Sequence, residues 1–384
     1  MAKRIAILTG GGHIASFHAG MFGVCEEAAK RGYEVIGFRD GYKGTVSDSW
    51  LPLSVDVLEP NKAGSLLGSS REKADPQAVR EVVKKHDLAA LIVMGGNDHL
   101  GEADLLAREG LPLVGWPKTM DNDLSKTYFT LGFPTTAMHG ARMVREAHAD
   151  AITNSRVHLV TVFGRTTDWA AAAVGVWGCA DVLVPSEKYL EGVDEQRYDI
   201  REIFERVEEA VDANAKLYGR RFAVVVVAEG ADIDGLASHL NEDEIDVHGN
   251  PKIEPMKLAV TLKQAFREIG GKKYPIAIDA ASYILRNTSP IEVDRRLSEA
   301  AGRACVKAID DGAIGVSSVV TCKDGQLGVD VAPLSEVSPQ RFMRPEKLYD
   351  YENMAVLPAF AEHYEPAFGP PPTKDSCVYK PMVR

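Results

Sequence analysis

The loop Trp116-Pro117-Lys118-Thr119-Met120-Asp121-Asn122-Asp123 gathers an ammonium, a hydroxyl and two carboxylates within six residues. Phosphoryl transfer needs such a set: a cation for the migrating group and a carboxylate to accept the alcohol's proton. A second carboxylate would hold Mg²⁺ through oxygen. The same residues suit a solvated acidic turn, so the loop alone leaves both readings open. Two glycine-rich junctions extend the pattern, Thr9-Gly10-Gly11-Gly12-His13 and Met94-Gly95-Gly96-Asn97-Asp98-His99. Each follows an apolar run and precedes a helical pattern. There backbone N–H groups can approach an anion, and the helix N-terminus adds about half a positive charge. Two such cradles suggest a ligand with more than one phosphate, although tight strand-to-helix turns also require glycine. Gly10-x-Gly12-x-x-Ala15, with Asp40 as a ribose ligand, satisfies a loose dinucleotide fingerprint. A nicotinamide-dependent oxidoreductase built on that fingerprint leaves Lys118–Asp123 without a role.

The elements that must position these groups follow from periodicity. Short apolar runs at 5–8, 35–38, 88–94, 112–115, 157–163, 182–184, 222–228, 276–278 and 314–320 have the length and composition of strands covered on both faces. Amphipathic stretches at 19–31, 76–85, 135–154, 200–217, 256–269 and 291–311 read as helices. Their alternation predicts an α/β protein of two doubly wound, Rossmann-like lobes with mostly parallel sheets. The 384-residue length suits two domains. Residues 232–253 read as an exposed excursion, and the pattern turns irregular after Val331. A net charge of −11 works against nucleic-acid binding, and no apolar run approaches the ~18 residues of a membrane span. With no signal-peptide pattern and five scattered cysteines, the expectation is a cytoplasmic protein without nucleic-acid or membrane partners.

Pro117–Asp123 resembles the P-K-T-[IM]-D-N-D signature of the phosphofructokinase family. Further segments agree in order: Gly64–Arg71 with G-x-L-G-[TS]-[SA]-R, Phe163-Gly164-Arg165 with M-G-R, and Ala228-Glu229-Gly230 with A-E-G. Asp279–Arg286 resembles D-P-S-Y-I-[IL]-R, and Ser289-Pro290 through Asp294-Arg295 resembles S-P-x-x-x-D-R. The resemblance spans about residues 4–320. It implies Asp121 as the base for a sugar's C1 hydroxyl, with Thr119 and Lys118 beside it and Asp123 near the metal. Arg165 and Arg71 would steady the phosphoryl charge. Gly12, His13, Tyr42, Asn97 and Asp98 would complete the donor site, with Asn97, Asp98 and Asp123 toward Mg²⁺. Phe163, Gly164 and Glu229 would bind the sugar, and Arg156, Arg286 and Arg295 its 6-phosphate. In bacterial relatives Arg156 and Arg286 reach from a neighbouring subunit, which implies a homodimer or homotetramer. The implied division is a donor lobe of residues 1–133 plus about 294–335, an acceptor lobe of 134–293, and an extension of 336–384.

Within the family, G-G-D-D and P-K-T-I-D-N-D accompany pyrophosphate use, whereas G-G-D-G and G-T-I-D-N-D accompany ATP. Gly95-Gly96-Asn97-Asp98 and Pro117-Lys118 follow the first pattern. Physically, the Asp98 carboxylate would crowd an α-phosphate, while Lys118 adds charge for a smaller anion. The implied reaction is reversible transfer from pyrophosphate to fructose 6-phosphate or a close anionic ketose. Other acceptors (6-deoxy-6-sulfofructose, sedoheptulose 7-phosphate or a polyol) and ATP as donor are the alternatives. The chain departs from the family at His13 and His18, where the family carries Asp and Asn, and at Asn97, where it carries Asp. An amide is a poorer Mg²⁺ ligand, which shifts metal binding toward Asp98, Asp121 or Asp123. A silent sugar-phosphate sensor on the same fold is the third reading.

Overall fold

The computed structural model describes residues 3–12, 14–165, 167–186, 198–236, 240–245, 251–271, 273–341, 348–350 and 353–378. His13 lies outside them. The chain forms two compact units, Met1–Thr135 with Arg286–Arg341, and Thr136–Leu285 with Phe342–Arg384. Residues 336–384, set apart by sequence as an extension, are therefore divided between the two.

In the first unit, the strands are β1 (Arg4–Thr9), β2 (Glu34–Phe38), β3 (Trp50–Leu53), β4 (Leu88–Gly95), β5 (Leu113–Thr119) and β6 (Leu131–Gly132). Ile5–Leu8 and Leu91–Met94 are wholly inaccessible, because helices cover both sheet faces. The chain returns from the second unit to add β15 (Val316–Lys323) and β16 (Gln326–Pro333). Strand order is β16-β15-β5-β4-β1-β2-β3, parallel except at the two margins, where β16 and β3 run antiparallel to their neighbours. These two strands lie outside the expected set, since half-exposed edge strands carry no continuous apolar run.

The helices of this unit are α1 (Phe17–Lys30), α2 (Tyr42–Ser47), α3 (Pro76–Lys85), α4 (Asn97–Arg108), the start of α5 (Phe133–Asn154), α10 (Glu292–Asp310) and α11 (Leu334–Val337). Asp75 caps α3, accepting from Gln77 N at 2.9 Å and Ala78 N at 3.2 Å, with Pro76 at the first helical position. Helices α1 and α10 touch backbone to backbone. A Cβ on Gly302 would fall 2.2 Å from Gly20 O, and one on Gly23 2.0 Å from Glu299 O. Buried Asp294 anchors α10 by accepting from Ser16 Oγ at 3.1 Å, Gly132 N at 3.0 Å and Thr135 Oγ1.

The second unit is built on β7 (Val157–Val162), β8 (Val182–Val184), β10 (Ala223–Ala228) and β14 (Ile276–Ala280), in order β14-β7-β10-β8 and parallel throughout. Short pairs β9 (Tyr198–Asp199) with β11 (Ile233–Asp234), β12 (Leu240–Ile245) with β13 (Pro251–Ile253), and β17 (Tyr349–Asp350) with β18 (Ala355–Val356) flank it. Its helices include α6 (Trp169–Gly178), α7 (Ile200–Tyr218), α8 (Pro255–Gly270) and α9 (Ser282–Arg286), whose last residue, Arg286, belongs to the first unit. Asp199 and Glu202 form a reciprocal capping box on α7, and Gly219 ends it in the left-handed region. Helix α6 is apolar all round and almost wholly buried. The tail helix Pro358–Phe368 covers it, with Phe368 set edge-on against Trp177 at 4.8 Å.

Candidate active site

The first unit collects a glycine-lined cradle at the C-terminal ends of β1, β4 and β5, where ligands bind in open α/β sheets. Gly10 N donates to Met94 O at 2.9 Å and Gly11 N to Ser70 O at 2.8 Å, which ties the loop after β1 to β4 and to the 64–71 loop. Gly11 has φ +78°, and a Cβ there would approach Lys118 Nζ to 2.9 Å. Lys118 is buried beside it and donates to Gly12 O at 2.6 Å. Burial pushes its ammonium down to about 7, helped by the nearby Arg286 and opposed by Asp121, with Arg71 adding repulsion. Lys118 and Arg286 thus meet at Gly11 and Gly12 within one unit, with the Arg71 charge acting on Lys118 as well, an arrangement that an anion would relieve.

Helix α4 begins at the adjacent edge, with Gly96 as N-cap and no side-chain cap on its amides. Asn97 and exposed Asp98 occupy its first turn. Asp40, which a ribose site would need, instead backs the 64–71 loop: a Cβ on Gly68 would lie 2.3 Å from its Oδ1.

The acidic part follows β5. Asp121 N donates to Thr119 Oγ1 at 3.1 Å, and that hydroxyl lies 3.4 Å from Asp121 Oδ2. Asn122 turns the chain through the left-handed region at φ +56° and is fully buried, its Oδ1 accepting from Thr130 N at 2.9 Å. Asp123 is buried on the other side of this turn. Burial, reinforced by the Asp121 charge, raises its carboxyl to about 7. Its Oδ1 is inaccessible and has no hydrogen-bond partner among the described residues.

In the second unit, Phe163, Gly164 and Arg165 follow β7, and Glu229 follows the neighbouring β10. Glu229 N donates to Val162 O and Gly230 N to Gly164 O, each at 2.8 Å. Gly230 is obligatory, because a Cβ would lie 2.0 Å from Arg165 O. The structure therefore brings these four expected residues to one sheet edge. Arg156 does not join them. It precedes β7, at the opposite end of a six-residue strand, and faces Asp150 at 3.6 Å.

Four expectations need correction or refinement. Tyr42 does not face the cradle: it is wholly buried at the start of α2, stacked on His99 at 5.5 Å with its hydroxyl donating to His99 O at 3.2 Å. Arg286 lies against the donor loop, where a Cβ on Gly12 would meet its Nη1 at 2.5 Å. Arg295 pairs within its own helix, with Glu292 at 2.8 Å and with Glu299. His18 is buried in α1 and its imidazole is pushed toward the neutral form, chiefly by burial, so it is a core residue.

Two participants carried no sequence signal. His99 fills the space over the cradle glycines, since a Cβ on Gly10 would overlap its ring and one on Gly95 would approach its Cβ to 2.4 Å. Arg341, in a stretch without recognisable pattern, sits against the Asp121–Asp123 loop, its Nε donating to Asn122 O at 3.0 Å.

A phosphofructokinase family model matches residues 4–309. The pyrophosphate–fructose 6-phosphate 1-phosphotransferase of Amycolatopsis methanolica is 30% identical over 357 residues, covering 90% of this chain and 99% of its own. The ATP-dependent 6-phosphofructokinase 3 of Streptomyces coelicolor is 32% identical over 320 residues, covering 81% and 89%. A crystal structure of the pyrophosphate-dependent phosphofructokinase of Marinobacter aquaeolei superposes with a TM-score of 0.80 over 96% of this chain and 92% of its own, at 22% identity, which speaks to the fold. With most of the chain matched by the family model, and relatives aligned over nearly their full length, this protein belongs to the phosphofructokinase family.

Proposed function

We propose that this enzyme transfers a phosphoryl group from pyrophosphate to the C1 hydroxyl of fructose 6-phosphate or a close anionic ketose. The first unit holds the donor and the base, and the second binds the acceptor. Asp121 takes the hydroxyl proton as the C1 oxygen attacks phosphorus. The P–O–P bridge then breaks, and the departing inorganic phosphate carries the electron pair. Thr119 fixes the Asp121 turn, while Lys118, Arg71 and Arg286 take up the donor's charge. Arg165 steadies the transferred group and Glu229 holds acceptor hydroxyls, roles supported by their shared sheet edge.

Asp123 fits a magnesium ion, because its buried, unpartnered oxygen and raised carboxyl both describe a site short of positive charge. Asp123 would hold the ion, leaving Asp121 its role as base. When bound, the ion neutralises donor charge.

The observation that carries the donor assignment is the buried Lys118 beside Gly11 and Gly12, with Asp98 on the first turn of α4. ATP is the second reading, because relatives of both kinds stand at about 30% identity. Purified protein with Mg²⁺ should convert fructose 6-phosphate with pyrophosphate, followed by coupled oxidation of NADH, and be at least tenfold slower with ATP. Turnover with ATP but not pyrophosphate overturns the donor. A higher kcat/KM for an uncharged sugar or a polyol than for any anionic ketose overturns the acceptor. Asp121→Ala should lose about 10²–10⁴ in kcat, and near-normal turnover would remove it as base.

A further inference from the structure

Arg341 is the last residue of the first unit. The segment before it runs antiparallel to the acidic loop, with a bridge between Leu124 and Gln340. Ser125 N donates to both Val337 O and Pro339 O at 3.1 Å, and Arg341 N donates to Asp123 O at 2.7 Å. The guanidinium then reaches across the loop. Nη1 donates to Thr127 O at 2.7 Å, Nε to Asn122 O at 3.0 Å, and Nη2 to Asn122 Oδ1 at 2.7 Å and Tyr128 O at 3.3 Å. One side chain thus joins both limbs of the loop and grips the residue separating Asp121 from Asp123. Asn122 holds that position in a left-handed conformation, which is disfavoured for a residue with a side chain and persists where its surroundings over-determine it. A planar fork suits acceptors spread in this way, and an ammonium does not.

We propose that Arg341 is a positioning residue that holds Asp121 and Asp123 in their reactive arrangement. The inference rests on the functional reading above. The guanidinium's hydrogen bonds to the loop go to carbonyls and to the Asn122 amide, and its charge also acts on Asp123, opposing the rise that burial gives that carboxyl. Displacing the loop by about 1 Å is enough to cost a factor near 100 in turnover.

The test compares the full-length wild type with Arg341→Met, Arg341→Lys and Arg341→Ala. Arg341→Met should lower kcat about 100-fold while KM for both substrates stays within threefold, and Arg341→Lys should recover little. Guanidinium at 20 mM should raise the turnover of Arg341→Ala at least tenfold, a rescue that a merely stabilising side chain would not show. Hydrogen exchange gives a readout independent of turnover. The amides of Ser125, Thr127, Tyr128 and Thr130 should exchange at least tenfold faster in Arg341→Met, with those of β1 and β4 unchanged. Wild-type kcat in Arg341→Met, a kcat loss accounted for by the unfolded fraction, or unaltered loop exchange overturns the proposal. If the wild type itself turns over with neither donor, the functional reading fails, while exchange still decides whether Arg341 holds the loop.

Discussion

Lys118 offers a direct measure of the cradle's electrostatics. Its ammonium, pushed down to about 7 by burial and by Arg286, is about one-tenth charged at pH 8. An anion seated at Gly11 and Gly12 restores the charged form, so binding takes up a proton and affinity must fall as pH rises. From pH 8 to 9.5 the charged fraction of the free protein drops about 30-fold, and the Kd of an anion should rise by the same factor. Asp123 also titrates near 7, but it is about nine-tenths ionised when this window opens and contributes little to the slope. Sulfate is the proper probe because it carries constant charge throughout. Equilibrium dialysis with radiolabelled sulfate on wild type and Lys118→Met gives the two slopes. A flat wild-type profile, or an equal slope in Lys118→Met, refutes the depressed ammonium. Absence of binding at 100 mM would refute the cradle.

Gly302→Ala places a methyl against Gly20 O, forces α10 away from α1, and should cost about 3 kcal/mol, read as a lower urea midpoint at constant m. Gly101→Ala, in open space on α4, should be neutral or stabilising by several tenths of a kcal/mol. His148 is buried and held down to about 4, chiefly by burial, while its unfolded form titrates near 6.5. The unfolded chain therefore binds a proton between these values that the folded protein refuses, and stability falls as pH drops from 6.5 to 4, by about 3 kcal/mol from this group. His148→Gln, which lacks that proton site, should lose less stability than wild type across the interval; equal losses would refute the assignment.

Most central elements were legible because their pattern is periodic or continuous. The runs at 5–8 and 88–94 became β1 and β4, and the polarity of 200–217 marked α7. Helix α6 was illegible for the opposite reason: Trp169-Ala-Ala-Ala-Ala-Val-Gly-Val-Trp has no polar face, because the tail helix hides the side that water would otherwise mark. At the site, glycine doublets and the acidic loop announced themselves through residue type and spacing. Tyr42 and Arg295 could be placed only by knowing which way each helix turns, and spacing alone does not encode that. Arg341 lies more than two hundred residues from the loop that it grips, beyond the reach of any local signal.

The order of strands in the first sheet bears on how the enzyme is made. β15 extends the sheet beside β5, yet the 136–285 segment of the second unit must be synthesised between them. At about 5–20 residues per second, the ribosome needs roughly 8–30 s to cross that insertion. Until then β5 has a bare margin and the nascent acidic loop lacks its fastening. The insertion can complete its own sheet first, so a chaperone would meet an unfinished amino-terminal portion tethered to a maturing middle.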